Sequence, residues 1–195
     1  MADNLAPAAV LPRGRTVQVG TAFSIAAVLM YFGGLVGMYL AERSVFRSAG
    51  AEWIPESVDV QLTAPSIILW TFFISIPLAA WAVHSIRNDD RKHAYMAFGL
   101  VLLLGAMTLN QAAFNFDAMG AVADNSRAEA MIYLLAGSHM ALTVVGMLFF
   151  VFTAFRALAG QYSSRYSDAV VAAATFWYLI VFLYFVIWML VYVSK

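Results

Sequence analysis

Three histidines, His84, His93 and His139, are the side chains in this 195-residue sequence best suited to hold a metal or move a proton near neutral pH. No cysteine accompanies them, which removes disulfides, thiolate zinc sites, iron–sulfur clusters and thioether-bound haem. His93 ends the charged stretch RNDDRKH and reads as solvated. His84 lies near the end of one apolar stretch and His139 well inside another. Two histidines that share a membrane haem must face each other at one depth. At the helical rise these two differ in depth by roughly 15 Å, so one haem between them does not fit, and nothing supports a haem with a single protein ligand. Burial in lipid favours the neutral imidazole of His139, which then needs a hydrogen-bond partner. An interhelical hydrogen bond is a simpler reading of it than a proton or ligand site.

The other polar group is Asn110–Gln111, followed by Asn115 and Asp117, at the end of a third apolar stretch. Amides there either pair across helices or lie among lipid headgroups. No Asp or Glu falls deep inside any apolar stretch, which argues against an autonomous proton pump or ion carrier. There is no P-loop, no dinucleotide fingerprint and no H-E-x-x-H, and no Ser/His/acid set at a shared depth. Broken helices and inverted repeats, the marks of many transporters, are also missing.

The elements that position these residues follow from composition. The chain is 63% hydrophobic and 11% charged, with a mean hydropathy of +0.80. A soluble domain of this length needs more polar surface. The apolar stretches are long and unbroken, so they read as helices, whose backbones satisfy themselves in lipid, rather than as barrel strands. The fold class expected is all-α, an integral membrane bundle of five transmembrane helices. Residues 1–16, with Pro7, Pro12, Arg13 and Arg15, read as a flexible cytoplasmic tail, and 17–195 as one transmembrane domain. Its spans are expected at 17–41, 66–86, 94–116, 130–155 and 168–193, each long enough for a core about 30 Å thick. The first is too long for a signal-peptide core, and Pro77 is expected to kink the second.

Loop charges give an orientation. Arg13, Arg15, Arg87, Arg91, Lys92, Arg156 and Arg165 fall on one side, against Arg43, Arg47, Arg127 and Lys195 on the other. The positive-inside rule then places the N-terminus in the cytoplasm and the C-terminus outside. Net charge is zero and no basic cluster suits nucleic acid, so membrane proteins and phospholipids are the expected partners. Trp53, Trp81, Trp188 and Tyr192 suit the interfaces. Gly33 and Gly37 form a G-xxx-G spacing beside Gly34, which either admits a close helix or reflects the frequency of glycine in membrane helices. The aromatic run from Phe176 to Trp188 reads as packing and lipid contact rather than a cofactor box.

Taken in order, these segments resemble subunit III of the haem-copper (cytochrome c) oxidases, in its five-helix bacterial form. MYFGGLVGMYLAER (Met30–Arg43) is similar to the family's opening helix, with Gly34, Leu35, Tyr39 and Arg43 in matching places. WAVHSIRNDDRK resembles the family's tryptophan followed by a basic turn. NQAAF carries its Gln-Ala motif at Gln111 and Ala112, YLLAGSHMALTVVGMLF matches at Gly137, His139 and Gly146, and FWYLIVFLYFVIW matches at Trp177. Each motif is weak alone; their order along nearly the whole chain carries the resemblance.

The departures form a pattern. The family's glutamate falls at Val28, its carboxylate after Gln-Ala near Phe114, and the second histidine of the fourth helix at Leu142. In the last helix the expected His, Asp and Trp fall at Tyr178, Val181 and Tyr184. The resemblance therefore implies a retained scaffold without the family's proposed proton-uptake and turnover-protection groups. It implies an accessory, non-redox subunit in a bacterial inner (plasma) membrane, bracing catalytic subunit I beside the other subunits and binding lipid. Haem and copper would be held by that partner and no cofactor by this chain. An accessory subunit of a nitric-oxide reductase, a small stand-alone transporter or channel, and a haem-binding enzyme in its own right are the alternatives.

Overall fold

The computed structural model describes residues 16–194. The expected cytoplasmic tail therefore lies outside the described residues, apart from Thr16, which opens the first helix. Five long helices follow in order: α1 (Thr16–Ser48), α2 (Thr63–Arg87), α3 (Arg91–Met119), α4 (Arg127–Leu158) and α5 (Asp168–Ile187), the last running on into a π-helical turn, Trp188–Val193. All five are long and apolar enough to cross a membrane, α5 together with its π turn. The first four extend beyond their apolar stretches in sequence, and the 33 residues of α1 reach about 50 Å. That exceeds a hydrocarbon core of about 30 Å, so the ends of α1 stand in the headgroup layer or beyond. The chain is an all-α membrane bundle.

Helix boundaries follow local chemistry. Asp90 caps α3 by accepting the His93 backbone N–H at 3.2 Å. Gly120 ends α3 in the left-handed region at φ 63°, where a side chain would be strained. Asp89 is the one non-glycine at positive φ (55°) among the described residues. Its carboxylate accepts the Ser164 backbone N–H at 2.7 Å, tying the α2–α3 turn to the α4–α5 loop. The Ser164 hydroxyl first, and this backbone bond second, hold the Asp89 pKa below its ordinary 3.8. A lowered carboxylate pKa means the clamp is complete above the usual carboxylate range and is released only as the pH falls through the lowered value.

The α5 helix is the axis of the bundle. Two thirds (67%) of its most apolar stretch is buried inside the chain, against 17% for α1. It packs on α1, α2 and α4, while α2 and α3 form a tight antiparallel hairpin. The outermost helix, α1, rests on α4 and α5 rather than on its sequence neighbour α2. At the end where α1 begins, the N-side, Gln18 donates to Asp168 at 3.0 Å and Tyr95 donates to the Ala157 carbonyl at 3.2 Å. At the opposite C-side, Arg127 pairs with Glu42 at 3.0 Å and Asp59 N–H donates to the Met119 carbonyl at 3.1 Å. There Trp53 folds in from the α1–α2 loop and meets Tyr39 and Phe46 edge-on, with ring centroids 5.4 and 5.3 Å away.

A buried carboxylate fixes the start of α4. Glu129, 1% exposed, accepts from the Val122 backbone N–H at 2.5 Å and the Ser126 hydroxyl at 3.0 Å. The Ser126 oxygen in turn accepts the Glu129 backbone N–H at 3.2 Å. This is a capping box in which the carboxylate also closes the α3–α4 loop. Glu129→Ala removes the acceptor of the Val122 N–H and the carboxylate that holds Ser126 at the start of α4, and is expected to lower stability by about 0.5–2 kcal/mol. Thermal unfolding in detergent, with amide exchange read at Val122, measures this; unchanged melting and exchange would contradict it.

Candidate functional site

Many of the bundle's interior polar groups gather around α5 and are engaged, whereas the buried Tyr39 hydroxyl, Arg43 Nε, Trp53 Nε1 and Tyr162 hydroxyl have no hydrogen-bond partner among the described residues. His139 on α4 is 3% exposed, and its Nε2–H donates to the Ile180 carbonyl of α5 at 2.9 Å. That carbonyl cannot donate, so Nε2 carries the proton. Three aromatic rings enclose the imidazole: Tyr184 at 5.3 Å, Phe72 at 5.6 Å and Phe32 at 6.4 Å between centroids. His139 is thus clamped to the central helix, which matches the interhelical-bond reading.

Parallel bonds run above and below it. Trp177, fully buried, donates its Nε1–H to Ser75 Oγ of α2 at 2.8 Å, and Ser75 donates to the Phe72 carbonyl at 2.6 Å. Tyr184 OH donates to the Pro65 carbonyl at 3.1 Å. Trp188 Nε1–H donates to Ser66 Oγ at 3.2 Å. Asn115 of α3 donates to Tyr192 OH at 2.9 Å, and the π turn is the segment that carries Tyr192. A narrow gap of about 20 Å³ remains beside His139, Thr108, Thr143, Asn115 and Tyr192. It has room for about one water and none for a prosthetic group.

The positions singled out from the sequence separate into distinct places. His139, Gly146 and Trp177 meet at the α4–α5 contact: a Cβ at Gly146 would collide with Ile180 Cδ1 and lie 3.3 Å from Trp177 Cε3. Tyr39 and Arg43 are buried on α1 at the C-side end, where Arg43 donates to Ser194 Oγ at 3.0 Å. Gln111 is half-buried and Asn110 exposed, so the amide that bonds in the interior is Asn115. Gly34 faces away from the bundle, as do Gly33 and Gly37: a Cβ at any of the three meets nothing within 4 Å. Around half-buried Gly137 the space is likewise open. His84 is bonded to Asn88 at the end of α2 and shares no partner with His139.

Among the described residues no group of three or more His, Cys, Asp or Glu side chains could hold a metal ion. The sequence of residues 11–195 matches the family described as cytochrome c oxidase subunit III. This chain belongs to that family. Among the similar proteins are cytochrome c oxidase subunit 3 of Bos taurus, Sus scrofa and Tragelaphus imberbis, each 27% identical over 179 residues, or 88% of this chain. The chain spans about 65% of the length of these curated relatives.

Subunit III is a non-catalytic component without redox centres. The departures from the family pattern also have an address. Val28 and Leu142 line one apolar groove between α1 and α4. Phe114 points outward, 66% exposed, whereas Val181 is buried.

Sequence reasoning missed Glu129 and Ser75, and read Tyr192 as an interface residue where the structure buries it against Asn115. Glu129 was findable: Ser126-Arg-Ala-Glu129 has the capping-box spacing. Ser75 was not, because a lone serine in an apolar helix has no signal until a donor is placed opposite it.

Gly146→Ala is expected to lower stability by about 1–3 kcal/mol through overpacking against α5. Gly34→Ala is expected to leave it unchanged or raise it by up to about 1 kcal/mol. Paired unfolding titrations of the two variants check this, and equal losses would contradict the packing described.

Proposed function

We propose that this chain is an accessory, non-redox subunit that braces the catalytic subunit I of a haem-copper respiratory oxidase and binds phospholipid at its surface. The family match over residues 11–195 carries the reading. Haem and copper belong to the partner, and the electrons pass there. The bundle's own chemistry supports a bracing role: His139, Trp177, Tyr184 and Asn115 all bond to a neighbouring helix. The open face of α1 supports it too, since a helix only 17% buried in its apolar stretch has surface for another membrane protein. The excess of Arg and Lys at the N-side end favours a cytoplasmic N-terminus in a bacterial inner membrane, with the C-side outside.

Purification in mild detergent followed by mass spectrometry and an absorption spectrum tests the proposal. A haem-containing subunit I homologue in stoichiometric amount is the expected result, with copper found by metal analysis. A haem partner with non-haem iron and no copper would place the chain in a nitric-oxide reductase instead. Recovery of the chain alone, from membranes in which other complexes stay intact, would contradict both.

A further inference from the structure

Three buried side chains at the C-side end of the bundle carry hydrogen-bond donors that lack an acceptor. Tyr39, Arg43 and Trp53 are 0%, 7% and 5% exposed, and the Tyr39 hydroxyl, Arg43 Nε and Trp53 Nε1 are unpaired among the described residues. These groups stand together. Tyr39 and Arg43 are one turn apart on the buried face of α1, and the Trp53 ring meets the Tyr39 ring edge-on at 5.4 Å. The Trp53 nitrogen lies near the Tyr39 hydroxyl without a hydrogen bond between them, and the Arg43 charge acts on the same hydroxyl. The hydroxyl of Tyr192, in the π turn, is within electrostatic reach of it as well.

An indole N–H and a guanidinium N–H can only donate, so neither can satisfy the other. The nearby acceptors are already engaged. Ser194 Oγ takes Arg43 Nη1 at 3.0 Å and gives its own proton to the Leu190 carbonyl, and the Tyr192 oxygen takes Asn115 at 2.9 Å. Nor does a carboxylate balance the guanidinium. Glu42, its neighbour in sequence, pairs with Arg127 at 3.0 Å, Glu129 closes the α3–α4 loop, and Arg43 makes no ion pair among the described residues. A guanidinium held out of water without an anion is unfavourable, and each unpaired donor adds its own desolvation cost. Arg47, one turn beyond Arg43, adds a second positive charge to the field at the Tyr39 hydroxyl. What the three donors lack is one negatively charged acceptor. Their polar atoms are sealed inside the chain, beyond the reach of a carboxylate on another protein, so that acceptor is small.

We propose that the Tyr39 O–H, Arg43 Nε–H and Trp53 Nε1–H bind one small inorganic anion of the chloride class at the C-side end of α1. The ion neutralises Arg43 and ties the loop that carries Trp53 to the bundle. Which catalytic subunit the chain joins has no bearing on this site, so either statement can fail without the other.

Indole ¹⁵N–¹H spectra of the full chain in micelles test it, with sodium gluconate exchanged for sodium chloride or bromide at constant ionic strength. Trp53 is one of five tryptophans, and Trp53→Phe assigns its signal. That signal is expected to shift saturably with chloride and with bromide, while those of Trp70, Trp81, Trp177 and Trp188 stay in place. Tyr39→Phe keeps the ring against Trp53 and removes one donor, so chloride is expected to bind about tenfold more weakly, the scale of one charge-assisted hydrogen bond. Arg43→Gln is expected to abolish the shift, and if that variant does not fold, Tyr39→Phe decides. A Trp53 signal that is the same in gluconate and chloride would overturn the proposal and leave a water in the ion's place. So would parallel shifts of all five tryptophans, the mark of a general salt effect, or a chloride affinity unchanged in Tyr39→Phe.

Discussion

Every polar side chain facing hydrocarbon in this bundle must find its hydrogen-bond partner on another helix or on its own backbone, because lipid supplies none. The bond from His139 to the Ile180 carbonyl shows how strongly that requirement shapes the structure. A helix carbonyl inside α5 already accepts an intrahelical bond, and here it takes a second donor through its other lone pair. Tyr184 to the Pro65 carbonyl repeats the device against α2, while Trp177 to Ser75 and Asn115 to Tyr192 join α5 and its π turn to α2 and α3 side chain to side chain. All four fasten α5 to its surroundings. In membrane bundles such bonds contribute about 0.6 kcal/mol each on average, so their value lies as much in fixing the rotation of α5 as in stability.

That rotation decides what the neighbours must be. With Trp177 and Ile180 turned toward α3 and α4, a Cβ at position 146 would collide with Ile180 Cδ1, and one at Gly105 would lie 3.0 Å from both Met147 and Trp177. Small residues on α3 and α4 thus admit the large rings of α5. On α1 the relation is reversed: Gly33, Gly34 and Gly37 admit nothing from this chain. Glycines of one type therefore play two roles, internal packing on α4 and an open external face on α1. The apolar groove at Val28 and Leu142 lies beside that outer region.

Helix number and helix order were legible in the sequence because hydropathy reports depth directly, and the family because motifs in order along the chain resemble it. Depth along a span also showed that His84 and His139 could not share a haem. Rotation about each axis was not legible, since in a helix apolar on every side the hydrophobic pattern marks no face. Gln111 therefore stood out by type, although Asn115, one turn on, is the residue that faces Tyr192. A partner for His139 was expected on physical grounds, but its identity is a backbone carbonyl, and no residue type signals that. The burial of Arg43 on α1 was equally invisible, since arginine near a span end reads as solvated until the loop carrying Trp53 is seen to fold over that end.

The account treats the interior polar groups as fasteners of a scaffold rather than members of a proton path. The most direct test is proton release per electron in vesicles containing the intact oxidase, with wild-type chain or His139→Leu. Unchanged stoichiometry together with a lower melting temperature of the subunit is the predicted result. A fall in stoichiometry at unchanged melting temperature would contradict it and assign His139 to the proton chemistry.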